Sequence, residues 1–185
     1  MASERSSILF RIRSRALRRR ELLEFARRLE ADVAGGRPFC CLLTGDDEIR
    51  RLNRQFRKKD DSTDVLSFPA VAGDHLGEVA ISFDRAREQA AGFGHSIDDE
   101  VRVLMLHGVL HLVGLDHERD GGEMRRVERR WRRRLDLPAG LLERCGAGSQ
   151  PSAASQAAQL HKAEKRSGAA SPAQAAGLPH IGVQK

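Results

Sequence analysis

Three histidines dominate the chemistry this chain can do. In the run His107-Gly-Val-Leu-His111-Leu-Val-Gly114-Leu-Asp116-His117, the first two stand four residues apart. On a helix that spacing puts both imidazoles on one face, where their ring nitrogens can converge on one ion at about 2.0 to 2.1 Å. Gly114 lets the chain turn sharply, so that His117 can return as a third ligand. Three neutral imidazoles leave a coordination position for water or substrate. With no anionic ligand to offset its charge, a zinc ion there would lower the pKa of its water to about 7. A lone histidine on an apolar helix is ordinarily a satisfied core residue. Three at this spacing, with glycine where the turn is needed, point to a metal instead.

Zinc peptidases of the metzincin group carry H-E-x-x-H-x-x-G-x-x-H, the same three-histidine spacing with the same glycine. Where they place the glutamate that serves as general base, this chain has Gly108. A metalloprotease lacking its base is therefore an alternative that the spacing permits and Gly108 opposes. A glycine inside a helix costs roughly 1 kcal/mol relative to alanine, which implies that space beside the metal matters more here than helix stability. The other histidines lack ligand spacing: His75 falls in a turn, His95 precedes a helix start, and His161 and His180 lie near the C-terminal end.

Periodicity supplies the elements that must position the triad. Residues 8–13 alternate as a strand does, and Leu22, Leu23, Phe25, Ala26 and Leu29 recur at helical spacing until Gly35 and Gly36. Residues 38–44 suit a buried strand, and 46–56 a helix with Ile49, Leu52 and Phe56 on one face. A polar loop is expected over 57–64, then strands over 65–68 and 78–83 joined by a hairpin turn at Gly73, Asp74 and Gly77. A helix over 84–93 precedes Ser96 and Asp99, which are spaced as a capping box whose side chains can satisfy free backbone N–H groups. The helix from Ile97 to about Val113 is apolar on nearly every face and should be the buried central one. A last helix over 122–135 ends before Pro138. This order predicts an α+β fold: one domain, a small mixed β-sheet packed by helices, with the metal site on the buried central helix.

Composition sets the outer bounds. The 185 residues carry 32 basic and 26 acidic side chains, a net charge of +6, with 40% hydrophobic and 31% charged residues. That allows one domain with a modest core. The most apolar stretch, 101–115, is short and interrupted by histidines, which excludes a membrane span there. The start lacks the apolar centre of a secretory signal, and its arginine-rich opening imitates a transit peptide less well than it fits a strand, so the expected location is the cytoplasm. Cys40, Cys41 and Cys145 form no C-x-x-C pair and suggest no disulfide framework. Residues 146–185 hold eleven alanines, three of the six prolines, no aromatic residue and no apolar period. They read as a disordered tail behind a domain over 1–145.

Charge is concentrated in two places. Residues 11–20 contain six arginines and no acid, and residues 125–134 contain seven arginines with Glu128 alone. Either a solvated helix face or a polyanion such as RNA would explain such runs. The chain has no tyrosine, and only Trp131 lies among the arginines, so contacts would go to the phosphate backbone rather than to stacked bases. Trp131, at helical spacing from Val127 and Leu135, reads as a packing residue.

At this point the sequence resembles the YbeY family of endoribonucleases and ribosomal RNA maturation factors. Residues 107–117 match the family's H-G-x-L-H-x-x-G-x-D-H at every fixed position. Residues 53–69 match its N-x-x-[YF]-R-x-x-D-x-x-T-[DN]-V-L-S-F-P block, and Gly77-Glu-Val-Ala-Ile-Ser82 extends the likeness. Ser62 stands where proline is common. The resemblance implies that His107, His111 and His117 bind a metal, usually zinc, and that they and Arg57 form the catalytic site. It implies a single-strand-acting, metal-dependent endoribonuclease that matures small-subunit ribosomal RNA at its 3′ end and serves ribosome quality control. Implied partners are ribosomal RNA and the small ribosomal subunit, a small-subunit ribosomal protein and a ribosome-assembly GTPase. A zinc-containing assembly factor without catalysis is the alternative from another class. Arg57, placed in the loop after a helix, would pair with a phosphate; its plainer reading is a surface cation. Asp116 is a candidate for orienting a histidine, Glu78 and Ser82 for lining the cleft, and Thr63 and Asp64 for capping the loop.

Overall fold

The computed structural model describes residues 5–117 and 120–138. The tail expected over 146–185, and the end of the domain with it, lie outside the described residues. Nine elements follow one another: β1 (Ser7–Phe10), α1 (Arg19–Asp32), β2 (Phe39–Thr44), α2 (Asp46–Arg57), β3 (Val65–Pro69), β4 (Gly77–Ser82), α3 (Phe83–Phe93), α4 (Ile97–Leu112) and α5 (Glu123–Arg134). The expected α+β fold is what forms. Its four strands make one mixed sheet in the order β1-β2-β4-β3, with β1, β2 and β4 parallel and β3 antiparallel to β4.

Alternation along the strands divides the sheet into two faces. Phe39, Cys41, Leu43, Val79 and Ile81 join the main core with α1 and α4. Leu42, Leu66 and Ala80 face the other way, against Ile49 and Leu52 of α2. Each such aliphatic side chain taken fully out of water contributes about 1.5 to 3 kcal/mol. On α1 the buried residues Leu22, Phe25, Ala26 and Leu29 form a single stripe. Cys40 and Cys41 are free thiols on β2, and burial raises both above the usual thiol range.

Helix α4 is the spine. Its residues from Val103 to Leu112 are all buried. Ser96 Oγ accepts from Asp99 N at 3.1 Å, as the capping spacing predicts. The return contact differs from a capping box, because the Asp99 carboxylate takes the Ser96 hydroxyl at 2.6 Å rather than a backbone N–H. Three acids in the first turn, Asp98, Asp99 and Glu100, favour the positive end of the helix dipole. Gly114 stops the helix at φ +98, a conformation that costs other residues strain.

Gly108 corrects an expectation. A Cβ built there would lie 2.6 Å from Val79 Cγ1 and 3.2 Å from Ser67 Oγ. The missing side chain makes room for the sheet, letting α4 sit close against β3 and β4; it does not open space beside the metal. Ser67 uses that approach to donate to the Gly108 carbonyl at 3.0 Å. Among the described residues no helix is long and apolar enough to cross a membrane.

Candidate metal centre

His107 and His111 lie one turn apart on α4, and His117 follows the reversal at Gly114. One nitrogen from each ring can be chosen so that all three lie within 4.8 Å of one another. The Nε2 atoms of His107 and His111 are 3.1 Å apart. Two ligands at about 2.0 to 2.1 Å from a tetrahedral zinc would be separated by about 3.3 Å, so this pair needs almost no adjustment to share an ion. His107 and His111 are buried and His117 is half-buried.

Ligation requires neutral imidazoles, and the surroundings keep His111 neutral. Burial, foremost, and the neighbouring His107 and His117 push its pKa down to about 2; Arg57 acts in the same direction, and a backbone hydrogen bond at Leu115 opposes them. Arg57 is thus close enough to act on the triad through its charge. It is the last residue of α2, not a loop residue, and it is buried rather than a surface cation. Helix α2 runs one residue beyond the expected end because Lys58, at φ 59, supplies the left-handed cap without a glycine.

The loop after Arg57 is tied down at several points. Asn53, buried in α2, donates through Nδ2 to the Asp61 carbonyl at 2.7 Å, and its own carbonyl receives the capping Lys58 N–H. Arg50 holds Asp60 through two contacts of 2.8 and 3.2 Å. Ser62 donates to Asp46 at 3.3 Å and accepts from Arg85 at 2.7 Å, a use for the hydroxyl where the family pattern has proline. Asp64 accepts from Thr63 Oγ1 and from the Val65 N–H, the loop capping that these two residues suggested.

Glu78 and Ser82 do not line the cleft. Strand parity sends Val79 and Ile81 toward α4, so residues 78, 80 and 82 face the α2 side. Glu78 borders a pocket with Cys40, Leu52 and Phe68, and Ser82 caps α3 by accepting from Arg85 N at 3.1 Å. That parity was available in the alternation of β4.

One residue of the site escaped the sequence. Glu128, in the middle of the second arginine run, is buried, and its Oε2 lies 3.1 Å from His107 Nδ1. A carboxylate there fixes the tautomer, leaving Nε2 to face His111. Orientation of a ligand was assigned to Asp116; for His107 it falls to Glu128. The available signal was a lone acid among seven arginines, four residues from Met124, which is fully buried. Asp120 caps α5, accepting from the N–H groups of Gly122 at 2.9 Å and Met124 at 2.7 Å. Trp131 packs against the core as its spacing suggested.

Comparison with known proteins agrees with the motifs. A family model described as Endoribonuclease YbeY matches residues 14–136. A protein named Endoribonuclease YbeY from Solibacter usitatus is 59% identical over 141 residues, covering 76% of this chain and 95% of its own. Its namesake from Koribacter versatilis is 57% identical over 103 residues, covering 56% and 68%. One from Helicobacter pylori is 48% identical over 105 residues, covering 56% and 74%. A Thermotoga maritima protein solved in solution aligns over 78% of this chain and all of its own at 28% identity, with a TM-score of 0.48.

Proposed function

Because the chain belongs to the YbeY family, and is with it an endoribonuclease of ribosomal RNA processing, we propose that His107, His111 and His117 hold its metal ion and that Arg57 completes the catalytic site. The observation that carries this reading is the convergence of three ring nitrogens within 4.8 Å, two from the buried end of α4 and one from the turn after it. We take the ion to be zinc, which suits a set of three imidazoles. When bound, it supplies Lewis acidity at a phosphoryl oxygen and charge stabilisation in the transition state.

The chain's own residues supply the rest. Arg57 offers a planar fork of donors to the scissile phosphate and stabilises the charge that grows on its oxygens. Burial among packed side chains strengthens that interaction by excluding water. Glu128 keeps His107 in one tautomer, and Gly114 sets the return of His117. The substrate we propose is single-stranded RNA at the 3′ end of the small-subunit ribosomal RNA, with a further role in ribosome quality control. The proposed setting is the cytoplasm, with a small-subunit ribosomal protein and a ribosome-assembly GTPase as partners.

Cleavage of ribosomal RNA by the purified chain, with and without chelator, tests the reading, with an unstructured protein as the control substrate. The expected result is chelator-sensitive cutting of RNA alone. His111→Ala and Arg57→Ala variants that stay folded should both lose it. Cutting at the parent rate by both variants would assign the activity to another site or to a contaminant. Elemental analysis of untagged protein identifies the metal.

A further inference from the structure

The two arginine runs look alike in the sequence and differ in the fold. In the first, three of the six arginines meet acids among the described residues: Arg11 pairs with Glu48 at 3.2 Å, Arg18 with Glu21 at 3.3 Å and Arg20 with Glu24 at 2.9 Å, while Arg19 stacks over Phe10 at 4.7 Å. The helical partners are acids three or four residues along, the arrangement that stabilises a surface helix. Helix α5 gathers its arginines on one face, with Arg134 over the Trp131 ring at 4.8 Å. Arg126, Arg129, Arg130, Arg133 and Arg134 are exposed and together line one open concavity. At spacings of three and four residues they face one another, so like charges repel along the whole outer face. The helix dipole favours the cations in the last turn, whereas Arg125 and Arg126 sit near the positive end, where it disfavours them. Solvation of a helix face does not require such a pattern, and a bound polyanion would relieve it.

The inner side of α5 fixes where this surface lies. Met124, Glu128 and Arg132 are its buried residues, and Glu128 is bonded to the metal ligand His107. The arginine face is therefore the outer side of a helix whose inner side touches the site of cleavage. We propose that the outer face of α5 is a phosphate-gripping surface that holds the RNA strand as it leaves the metal centre, with contacts to the backbone and none to bases. This rests on the endoribonuclease reading for the identity of the polyanion.

The test measures the affinity of the metal-loaded chain for a 2′-O-methylated single-stranded RNA across a range of salt concentrations. Each phosphate contact on a single strand contributes about 0.7 to the slope of log K against log salt. Replacing three arginines in R126Q/R130Q/R133Q should lower that slope by about 2, while the charge-conserving R126K/R130K/R133K keeps it. The control R18Q/R20Q, at two acid-paired positions of the first run, should leave it at the parent value. Metal content and melting temperature establish that the variants fold, and removing mutual repulsion should hold or raise the latter. A glutamine variant with the parent slope overturns the proposal, as does an equal loss in the control. Cleavage of unmodified RNA by the parent is read alongside: a lowered slope without any parental cleavage would support the surface and sink the nuclease reading, and the reverse result would do the opposite.

Discussion

Helices α2 and α5 are both twelve residues long, and each brings one buried charge to the histidines, yet they do so in different ways. Arg57 stands at the C-terminal end of α2, where the helix dipole favours a cation. It influences His111 through space. Glu128 stands in the middle of α5 and reaches His107 by a direct bond of 3.1 Å. Helix α2 is anchored by Ile49 and Leu52 in a core of its own, so Arg57 is held whether or not a metal is present. Helix α5 buries Met124, Glu128 and Arg132, only one of which is apolar. Val127 and Trp131 pack against the main core beside it, so Glu128 is held by an apolar stripe as well as by the histidine it touches. In the proposed site the positive charge serves the substrate and the negative charge serves the ligand set.

Two substitutions would break this division. Arg57→Ala should lower the rate of RNA cleavage by about 10² to 10³, the usual cost of removing one preorganised donor to a developing charge. Its affinity for the metal, measured by competition with a chelating dye, should hold or rise, because the guanidinium that disfavours a charged His111 also disfavours a cation beside it. Glu128→Ala should do the reverse, weakening metal affinity by about 10- to 100-fold, as loss of a ligand's hydrogen-bond acceptor does. Glu128→Gln retains an acceptor and should recover part of it. Weakened metal binding in the Arg57 variant, with none in the Glu128 variant, would overturn the assignment of roles.

The same pair shows what a sequence reveals of such a site. The triad was legible because helical spacing and a turn glycine are local rules, and both hold for His107, His111 and Gly114. Arg57 was legible as a residue of the site only through the family block, and its burial was not, because the helix ends on a left-handed lysine that no propensity marks. Glu128 was hidden because its partner lies 21 residues away on another helix. Inside a run of arginines it looks like an ordinary solvated acid. The fold was easier: the apolar run of β2, the alternation in β4 and the stripe on α1 mark these elements locally. The Gly108 side of α4 was misread because a close approach between helix and sheet is a tertiary fact.

That approach yields the next effect. Gly108→Ala puts a methyl group 2.6 Å from Val79 Cγ1, and overpacking of this kind costs about 1 to 3 kcal/mol. Denaturant unfolding of the metal-free chain should report the loss. Val79→Ala, which costs stability alone, should cost less in the Gly108→Ala background, since it clears the space. Both the Arg57 and the Glu128 contacts would shift with α4, so cleavage and metal affinity should fall together, unlike either single substitution above. Additive losses in the double variant would return Gly108 to some other purpose.

The smallest effect is acid sensitivity of the metal-free chain. His111 has a pKa pushed down to about 2 in the fold, against about 6.5 in an unfolded chain. Between those values the unfolded state binds the extra proton, so stability is fully present above about pH 6.5 and falls as pH drops below it. From pH 7 to 5.5 the loss from this one group is about 1 kcal/mol, read as a falling denaturation midpoint in the presence of chelator. Arg57 is one of the charges that depress His111, yet above pH 5.5 the folded ring stays neutral without it, so Arg57→Ala should keep the parent's acid slope. Glu128→Ala leaves that charge in place and should retain the parent's slope from His111. A denaturation midpoint that stays flat from pH 7 to 5.5 with chelator present would mean that the folded chain protonates His111 as readily as the unfolded one, and the burial that keeps this ligand neutral would lose its support.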